Sequence, residues 1–337
     1  MSDLKITSWN VENLDRLLGE DLTANLQKRR DAVVTEIRDL APDILCLIEG
    51  PKGEAAIDTV ADELLGGEYV PVKAGDGEYD IRGDQWMWFL VRPSLKEKVE
   101  LLPPATWDAL TGGKWDVHYW GIDKKARHDH YRHPQVLILQ WEGARIEFIG
   151  LHLKSKFVNR GRSMWSAGGG KRTKYVHEAI KARIKLATEA ANVRNYIDAK
   201  FAQTEKPAIF LMGDLNDGPG KELFEREYLF FDLVANLQGD VFFAQRFLNH
   251  ALFDYPQHLR WSVHFKDFVD PERDPRILLD HILFTQALVD GSAPLQVESH
   301  AGLVEHEVHD LINATLTSKQ KTSDHKPVSV ALTPAAT

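Results

Sequence analysis

Apolar residues recur along this chain in two rhythms. Leu26, Arg30, Val33, Ile37 and Leu40 fall at helical spacing and Pro42 closes the run, while Ile44-Leu45-Cys46-Leu47-Ile48 forms a short solid block of strand formers. With the strand-like Lys5-Ile6-Thr7-Ser8 ahead of them, these runs predict a strand, a helix and a second strand. Further strands are expected at 86–91, 135–141, 145–151, 208–212, 278–284 and 327–332, with Gly143-Ala144 as a tight connection between 135–141 and 145–151. A long helix is expected over 173–201, its mostly apolar stripe running through Val176, Ile180, Ile184, Ala187, Ala191, Arg194 and Ile197. Some strands alternate and others are apolar throughout, so two packed sheets covered by helices fit better than a simple barrel. No internal repeat or low-complexity tract divides the chain, and residues 1–337 are read as a single domain.

Two stretches interrupt this pattern and are read as insertions. Residues 103–134 carry Trp107, Trp115, Tyr119, Trp120 and Tyr131 among His118, His128, His130 and His133, too polar and irregular for a core element. Residues 155–172 end near Gly168-Gly169-Gly170. Loops of this length inside a compact domain tend to carry function.

Composition narrows the class. Hydrophobic residues at 43% support a sizeable core. No stretch reaches the ~20 apolar residues of a membrane span and no signal-peptide core precedes the first strand, so a cytoplasmic protein without a membrane partner is expected. The one cysteine, Cys46, excludes an internal disulfide and any cysteine-built zinc centre. A net charge of −9 argues against general adhesion to nucleic acid. From Lys154 to Lys185, however, ten lysines and arginines face the single acid Glu178. A solvated helix face mixes both signs, so this segment, with Lys154, Lys156, Arg160, Arg162, Lys171 and Arg172, is read as phosphate-facing.

Polar residues then interrupt or end the strand-like runs at six places. They are Trp9-Asn10, Glu49, His152, Gly213-Asp214-Leu215-Asn216, Asp280-His281 and Ser323-Asp324-His325. Singly, each reads as a turn or cap residue. Together they set hard oxygen ligands and potential acids and bases where apolar runs meet turns, which suits metal-assisted attack on a phosphate ester.

In order and spacing these islands resemble the endonuclease/exonuclease/phosphatase (DNase I-like) superfamily, from Trp9 to Val330. The most specific motifs are Gly213-Asp214-Leu215-Asn216 and Ser323-Asp324-His325-Lys326-Pro327-Val328. The resemblance implies a four-layer α/β/β/α sandwich, two mixed sheets flanked by helices. It implies Mg²⁺ or Mn²⁺ held by Glu49, with Asn10 and Asp324 completing the shell directly or through water. Asp214 would position or deprotonate the attacking water and Asn216 would hold a phosphate oxygen. His325, oriented by Asp280, would donate to the phosphoryl oxygen or leaving group. His152 would contact the phosphate from the other side, as in DNase I-like nucleases, and Arg132 would support the phosphate site. Asp84 is expected to orient His152.

The expected activity is therefore a metal-dependent phosphodiesterase, a nuclease acting on DNA or RNA. The aromatic residues of 103–134 would supply base-stacking surfaces. The rival substrates are small or lipid phosphoesters, although no exposed apolar hairpin is evident for a lipid. An inactive binding module is the rival from another class, and it should have lost a ligand or base. Other signals fail on their own terms. Gly168-Gly169-Gly170-Lys171 lacks the first glycine of a phosphate loop, has Arg172 where Ser or Thr binds Mg²⁺, and follows no strand. His306-Glu307-Val308-His309 is one residue short of a metalloprotease motif. The histidines between His118 and His133 read as solvated or rim residues before they read as a transition-metal site.

Overall fold

The computed structural model describes residues 3–74, 83–119, 125–229, 232 and 234–335. In the first half of the chain the elements are β1 (Leu4–Asn10), α1 (Ala24–Leu40), β2 (Ile44–Gly50), α2 (Glu54–Thr59), β3 (Val70–Pro71), β4 (Trp86–Val91), β5 (Val99–Leu101), α3 (Pro104–Thr111), β6 (Trp115–His118), β7 (Lys125–His128), β8 (Gln135–Trp141) and β9 (Ala144–His152). The second half adds α4 (Gly161–Ala167), α5 (Gly169–Gln203), β10 (Ala208–Asp214), α6 (Ala235–Gln238), β11 (Asn249–His250), β12 (Val263–His264), β13 (Arg276–Ile277), β14 (Asp280–Phe284), β15 (Leu295–Gln296), β16 (Gly302–Val304), α7 (His306–Asn313) and β17 (Val328–Pro334).

One sheet runs β15-β17-β1-β2-β4-β3, with β16 also on β17, and the other runs β11-β14-β10-β9-β8-β5. Both are mixed: β1 lies parallel to β2 and antiparallel to β17, and β10 lies parallel to β9 and antiparallel to β14. Inner faces that include Ile6, Cys46, Phe89, Phe148, Phe210 and Ile282 meet in one core cluster. Gly150 belongs to this close approach, since a Cβ there would sit 3.1 Å from both Cys46 Sγ and Phe89. Cys46 is fully buried, and burial pushes its thiol up to about 12, so it packs as an inert hydrophobe. α1 and α7 pack together, with Val33 and Ile37 of α1 buried in the same core, and α5 and α3 cover the outer face of β8, β9 and β10. The result is a four-layer α/β/β/α sandwich. Among the described residues no helix is long and apolar enough to cross a membrane.

Most expected elements stand within one or two residues of their places, because periodicity and turn chemistry are local. α1 starts behind Thr23, whose side chain accepts from Leu26 N, and ends at Ala41 in the left-handed region. The tight hairpin is displaced by one residue: Trp141 pairs with Ala144, and the two loop residues are Glu142 and Gly143, at φ 51° and 80°. Both angles match a type I′ turn, for which glycine suits the second position.

The long helix differs in which face it buries. Its inner positions include Ala179, Ala182, Leu186, Ala190, Val193, Tyr196 and Ile197, whereas Ala191 is exposed and Val176, Ile180, Ala187 and Arg194 are half-buried. The apolar stripe is rotated because polar residues share the interior. Arg183 pairs with Glu222 at 2.6 Å, Glu189 accepts from Lys154 N, and Asn192 accepts from Trp107 Nε1.

The stretch 103–134 is not an irregular surface loop. Trp107 on α3 is buried and stacks on Tyr196 at 4.3 Å, while β6 and β7 form a hairpin. His128, His130 and His133 are buried rather than on a rim; His128 meets Tyr119 and Thr188, and His130 Nε2 meets Asn192 Oδ1 at 3.0 Å. Thr188 and Asn192 lie about sixty residues away, which local sequence cannot reveal. Trp120 lies outside the described residues. Residues 155–172 hold α4 and the start of α5, separated at Gly168, whose φ of +67° breaks the helix. His309 bonds Glu36 and His306 faces the Leu259 carbonyl, so both serve packing of α7.

Candidate active site

Four strand ends converge at one end of the two sheets. Asn10 closes β1, Glu49 lies one residue before the end of the parallel β2, and His152 and Asp214 close β9 and β10 as direct register partners. Antiparallel β14 begins with Asp280 opposite Asp214. The turn ahead of β17 brings His325 to the same place, pinned by three bonds. Trp9 Nε1 donates to the His325 carbonyl (2.9 Å), Ser323 Oγ donates to the Asn10 carbonyl (2.7 Å), and His325 N donates to Ser323 Oγ (3.0 Å).

Gly213 aims Asp214. Its φ is +144° and a Cβ would lie 1.9 Å from the Leu151 carbonyl oxygen, so only glycine allows β10 this close to β9 at the point where the carboxylate turns inward. Four other site residues, Glu12, Asn13, Glu49 and Asn216, hold left-handed φ values of 51–58° without being glycine. Such conformations cost energy and persist where the surroundings over-determine them, often at functional sites.

Asp214 is at the centre. Its Oδ2 accepts from Asn10 Nδ2 at 3.1 Å and lies 3.6 Å from His152 Nε2; its Oδ1 accepts from Asn216 N at 2.8 Å, an Asx turn. Asn216 Nδ2 donates to the Leu153 carbonyl at 3.0 Å, leaving its carbonyl oxygen and second amide hydrogen for other contacts. Burial pushes the Asp214 carboxyl up to about 7; Asp280 adds to this, and His325 and the hydrogen bonds oppose it. Asp280 is fully buried with Oδ2 2.7 Å from His325 Nδ1. Burial works against a charged His325, but Asp280 and Asp214 outweigh it and raise the imidazole to about 10. Asp214, Asp280 and His325 bring ligand-type atoms within 4.8 Å of one another. With Nδ1 held by Asp280, this cluster is built for proton handling more than for a metal.

The oxygen-rich side lies toward Glu49. Its Oε2 accepts from Asn13 N (3.1 Å), and its Oε1 is 3.4 Å from Asn10 Nδ2 and 4.0 Å from His152 Nε2. Glu12, for which no role was expected, stands exposed beside them. Its carboxyl is raised first by desolvation and then by Asp324, with Arg29 opposing and Glu49 adding. Arg29, which also donates to the carbonyls of Val11 (2.9 Å) and Thr322 (3.1 Å), lies 3.8 Å from the Glu12 carboxylate. Asp324 is exposed and makes no hydrogen bond to a described residue. Glu12 thus feels the charges of both Asp324 and Glu49; hard oxygens of this kind suit Mg²⁺ or Mn²⁺, although among the described residues these three carboxylates do not close on one another as Asp214, Asp280 and His325 do. Asn10 Oδ1 accepts from Glu12 N and its amide nitrogen faces the carboxylates, so direct ligation would require the amide to turn over, whereas contact through water would not.

His152 is buried, and burial, with Arg132 and His325 nearby, holds it neutral, well below the ordinary imidazole range. Among the described residues its Nδ1 has no hydrogen-bond partner. Asp84 does not orient it: that carboxylate is exposed and faces Lys52 at 3.5 Å. Arg132 donates to Gln85, a second residue missed from sequence, and among the described residues its buried Nε has no partner. Of the basic segment, Arg160, Arg162, Lys171 and Arg172 are exposed. Lys156 is not available to a phosphate, since it is tied to Asp217 and Glu225, and Lys154 Nζ donates to the Ser155 carbonyl at 2.7 Å. The signal for Glu12 was its place two residues after Asn10; nothing local marks Gln85.

Comparison with known proteins identifies the family and the fold. The model of the endonuclease/exonuclease/phosphatase family matches residues 7–325. No curated protein is significantly similar in sequence. Among solved structures, truncated TDP2 of Caenorhabditis elegans superposes with a TM-score of 0.53 at 15% identity, covering 98% of this chain and 97% of that one. The human Nocturnin catalytic domain with bound sulfate gives 0.51 at 14% identity, covering 98% and 94%. An endonuclease/exonuclease/phosphatase from Beutenbergia cavernae gives 0.52 at 14% identity, covering 99% and 72%. At these identities the likeness is one of fold.

Proposed function

The chain belongs to the endonuclease/exonuclease/phosphatase family, and from that premise we propose that it is a divalent-metal-dependent phosphodiester hydrolase, a nuclease acting on DNA or RNA. One observation carries the reading. Asp214, its carboxyl raised toward neutrality, is held between Asn10, Asn216 and His152 and faces the Asp280–His325 pair.

In this mechanism Asp214 takes the proton of the attacking water; a base titrating near neutrality suits that task. Asn216 turns its spare amide hydrogen to a non-bridging phosphate oxygen. Asp280 holds His325 by Nδ1, which leaves Nε2 to donate to the phosphoryl oxygen or the departing alkoxide. Neutral His152 contacts the phosphate from the opposite side without charge repulsion against Arg132, whose guanidinium adds positive potential. Mg²⁺ or Mn²⁺, held by Glu49 and Asp324 with Asn10 and Glu12 alongside, would supply Lewis-acid neutralisation of the phosphate charge. The exposed Arg160, Arg162, Lys171 and Arg172 would track the backbone of a polynucleotide.

The test is a substrate panel. Purified protein with Mg²⁺ or Mn²⁺ is offered plasmid DNA, single-stranded DNA, RNA, abasic duplex and bis-p-nitrophenyl phosphate. Cleavage of at least one polynucleotide is expected, and turnover of small phosphoesters alone would overturn the nuclease assignment.

A further inference from the structure

Next to Asn216 a cavity of about 300 Å³ opens, walled by Ser155, Phe157, Tyr175, Phe224, Phe265 and Phe268 among others. Its volume is at the lower end of the ~300–1,000 Å³ typical of small-molecule sites, room for one compact group rather than a strand. The cavity shares Asn216 with the candidate phosphate site, and Leu279, which also lines it, directly precedes Asp280. A substituent on a phosphorus held at Asp214 therefore has this cavity as a neighbouring volume.

The walls divide into a fixed floor and an open mouth. On the floor, Tyr175 meets Phe268 at 5.6 Å and Phe224 at 6.0 Å, and Arg183 lies 4.4 Å over Phe224 while paired with Glu222. Lys156, bound to Asp217 and Glu225, anchors the 155–158 segment beneath Phe157. At the mouth the apolar surface is left bare: Phe157 is 74% exposed and Phe265 is 52% exposed. Arg273 also lines the cavity, and its guanidinium makes no hydrogen bond or ion pair with a described residue. Bare aromatic faces beside an uncommitted donor suit a flat ring system with polar edges; an alkyl chain would leave the donor unused.

We propose that this cavity is a specificity site for the nucleobase of the nucleotide whose phosphate sits at Asp214, with the base stacked on Phe157 and Phe265 and its polar edge turned to Arg273. The inference rests on the phosphoester reading; of the aromatic residues expected to stack bases in 103–134, Trp107 is buried in the core and not available. Phe157 and Phe265 come from segments far apart in sequence, the loop after β9 and the residue after β12, and both line this cavity.

Binding of AMP and of ribose 5-phosphate is measured by calorimetry in EDTA, so that hydrolysis plays no part. The intact chain should bind AMP roughly 5- to 150-fold more tightly, the span that stacking one base on aromatic side chains supplies. Phe157→Ala and Phe265→Ala should each bring the two affinities toward one another, and Phe157→Trp should keep them apart. Equal affinity of the intact chain for AMP and ribose 5-phosphate, or an AMP preference untouched in both alanine variants, overturns the proposal. Failure to cleave any polynucleotide would overturn the nuclease reading, whereas the AMP comparison is decided separately from it.

Discussion

Replacing Gly213 by alanine tests how the fold aims the central carboxylate. The added Cβ would lie 1.9 Å from the Leu151 carbonyl oxygen, 2.8 Å from its carbon and 3.0 Å from its nitrogen, all backbone atoms of the paired strand β9. No side chain can rotate away, so either β9 and β10 separate or the bonding around Leu151 breaks. Alanine at φ +144° adds conformational strain of ~1–3 kcal/mol, and forcing extra volume into a packed interior costs ~1–3 kcal/mol more. The sum, about 2–6 kcal/mol, is a large share of the ~5–15 kcal/mol that holds a typical domain together. Gly220→Ala is the internal control: its φ is +84° but nothing lies within 4 Å of the new Cβ, so strain acts alone. Urea unfolding followed by circular dichroism reads both variants, and turnover at saturating substrate reads the site. Where Gly213→Ala still folds, displacement of Asp214 by ~1 Å should lower turnover about 10²-fold. A Gly213→Ala protein no less stable than Gly220→Ala, with wild-type turnover, would refute the claim that this glycine sets the site.

Asp214→Ala and His325→Ala should each lower turnover by roughly two to four orders of magnitude with folding retained, and a variant keeping more than about a tenth of the rate loses its assigned role. EDTA should silence the protein, Mg²⁺ or Mn²⁺ should restore it, and Ca²⁺ should support less hydrolysis; full activity after metal stripping would contradict the oxygen-lined site. Replacing Arg160, Arg162, Lys171 and Arg172 together by serine should flatten the log K against log salt slope for polynucleotide binding by up to ~3; an unaltered slope would make them a solvated face. His130 supplies a pH test of stability. Burial depresses its folded pKa to about 3, so as pH falls below ~6.5 the unfolded chain takes a proton that the folded chain refuses. Stability is then lost on acidification, by about 2 kcal/mol between pH 7 and 5 from this residue, and unfolding midpoints of His130→Gln that show the same acid slope as wild type would refute the assignment.

Much of the fold was legible in sequence because its causes are local. The apolar blocks at β4 and β8 were read to the residue, and the helical spacing of Val33, Ile37 and Leu40 marked α1. The site was legible as a set of strand ends: Asn10, Glu49, His152, Asp214 and Asp280 each interrupt or end an apolar run, and such positions collect at one edge when the sheets pack. The inner face of α5 was misread because Glu189 and Asn192, polar by type, are interior by virtue of partners at Lys154 and Trp107.

Charge and aromatic character were the least legible. From sequence Lys156 is a free cation, Asp84 a partner of His152 and Trp107 a stacking surface; in the fold Lys156 is held by Asp217 and Glu225, Asp84 faces Lys52 and Trp107 stacks on Tyr196. By itself the sequence determined where strands and helices run and which residue types stand at their ends, since those depend on periodicity and turn propensity over a few residues. Only the tertiary structure decided which charges are spent, which aromatic rings are bare, and that Phe157 and Phe265 share a cavity beside Asn216. Such pairings join residues tens to hundreds of positions apart, and they are set by how two twisted sheets and their covering helices close over one core.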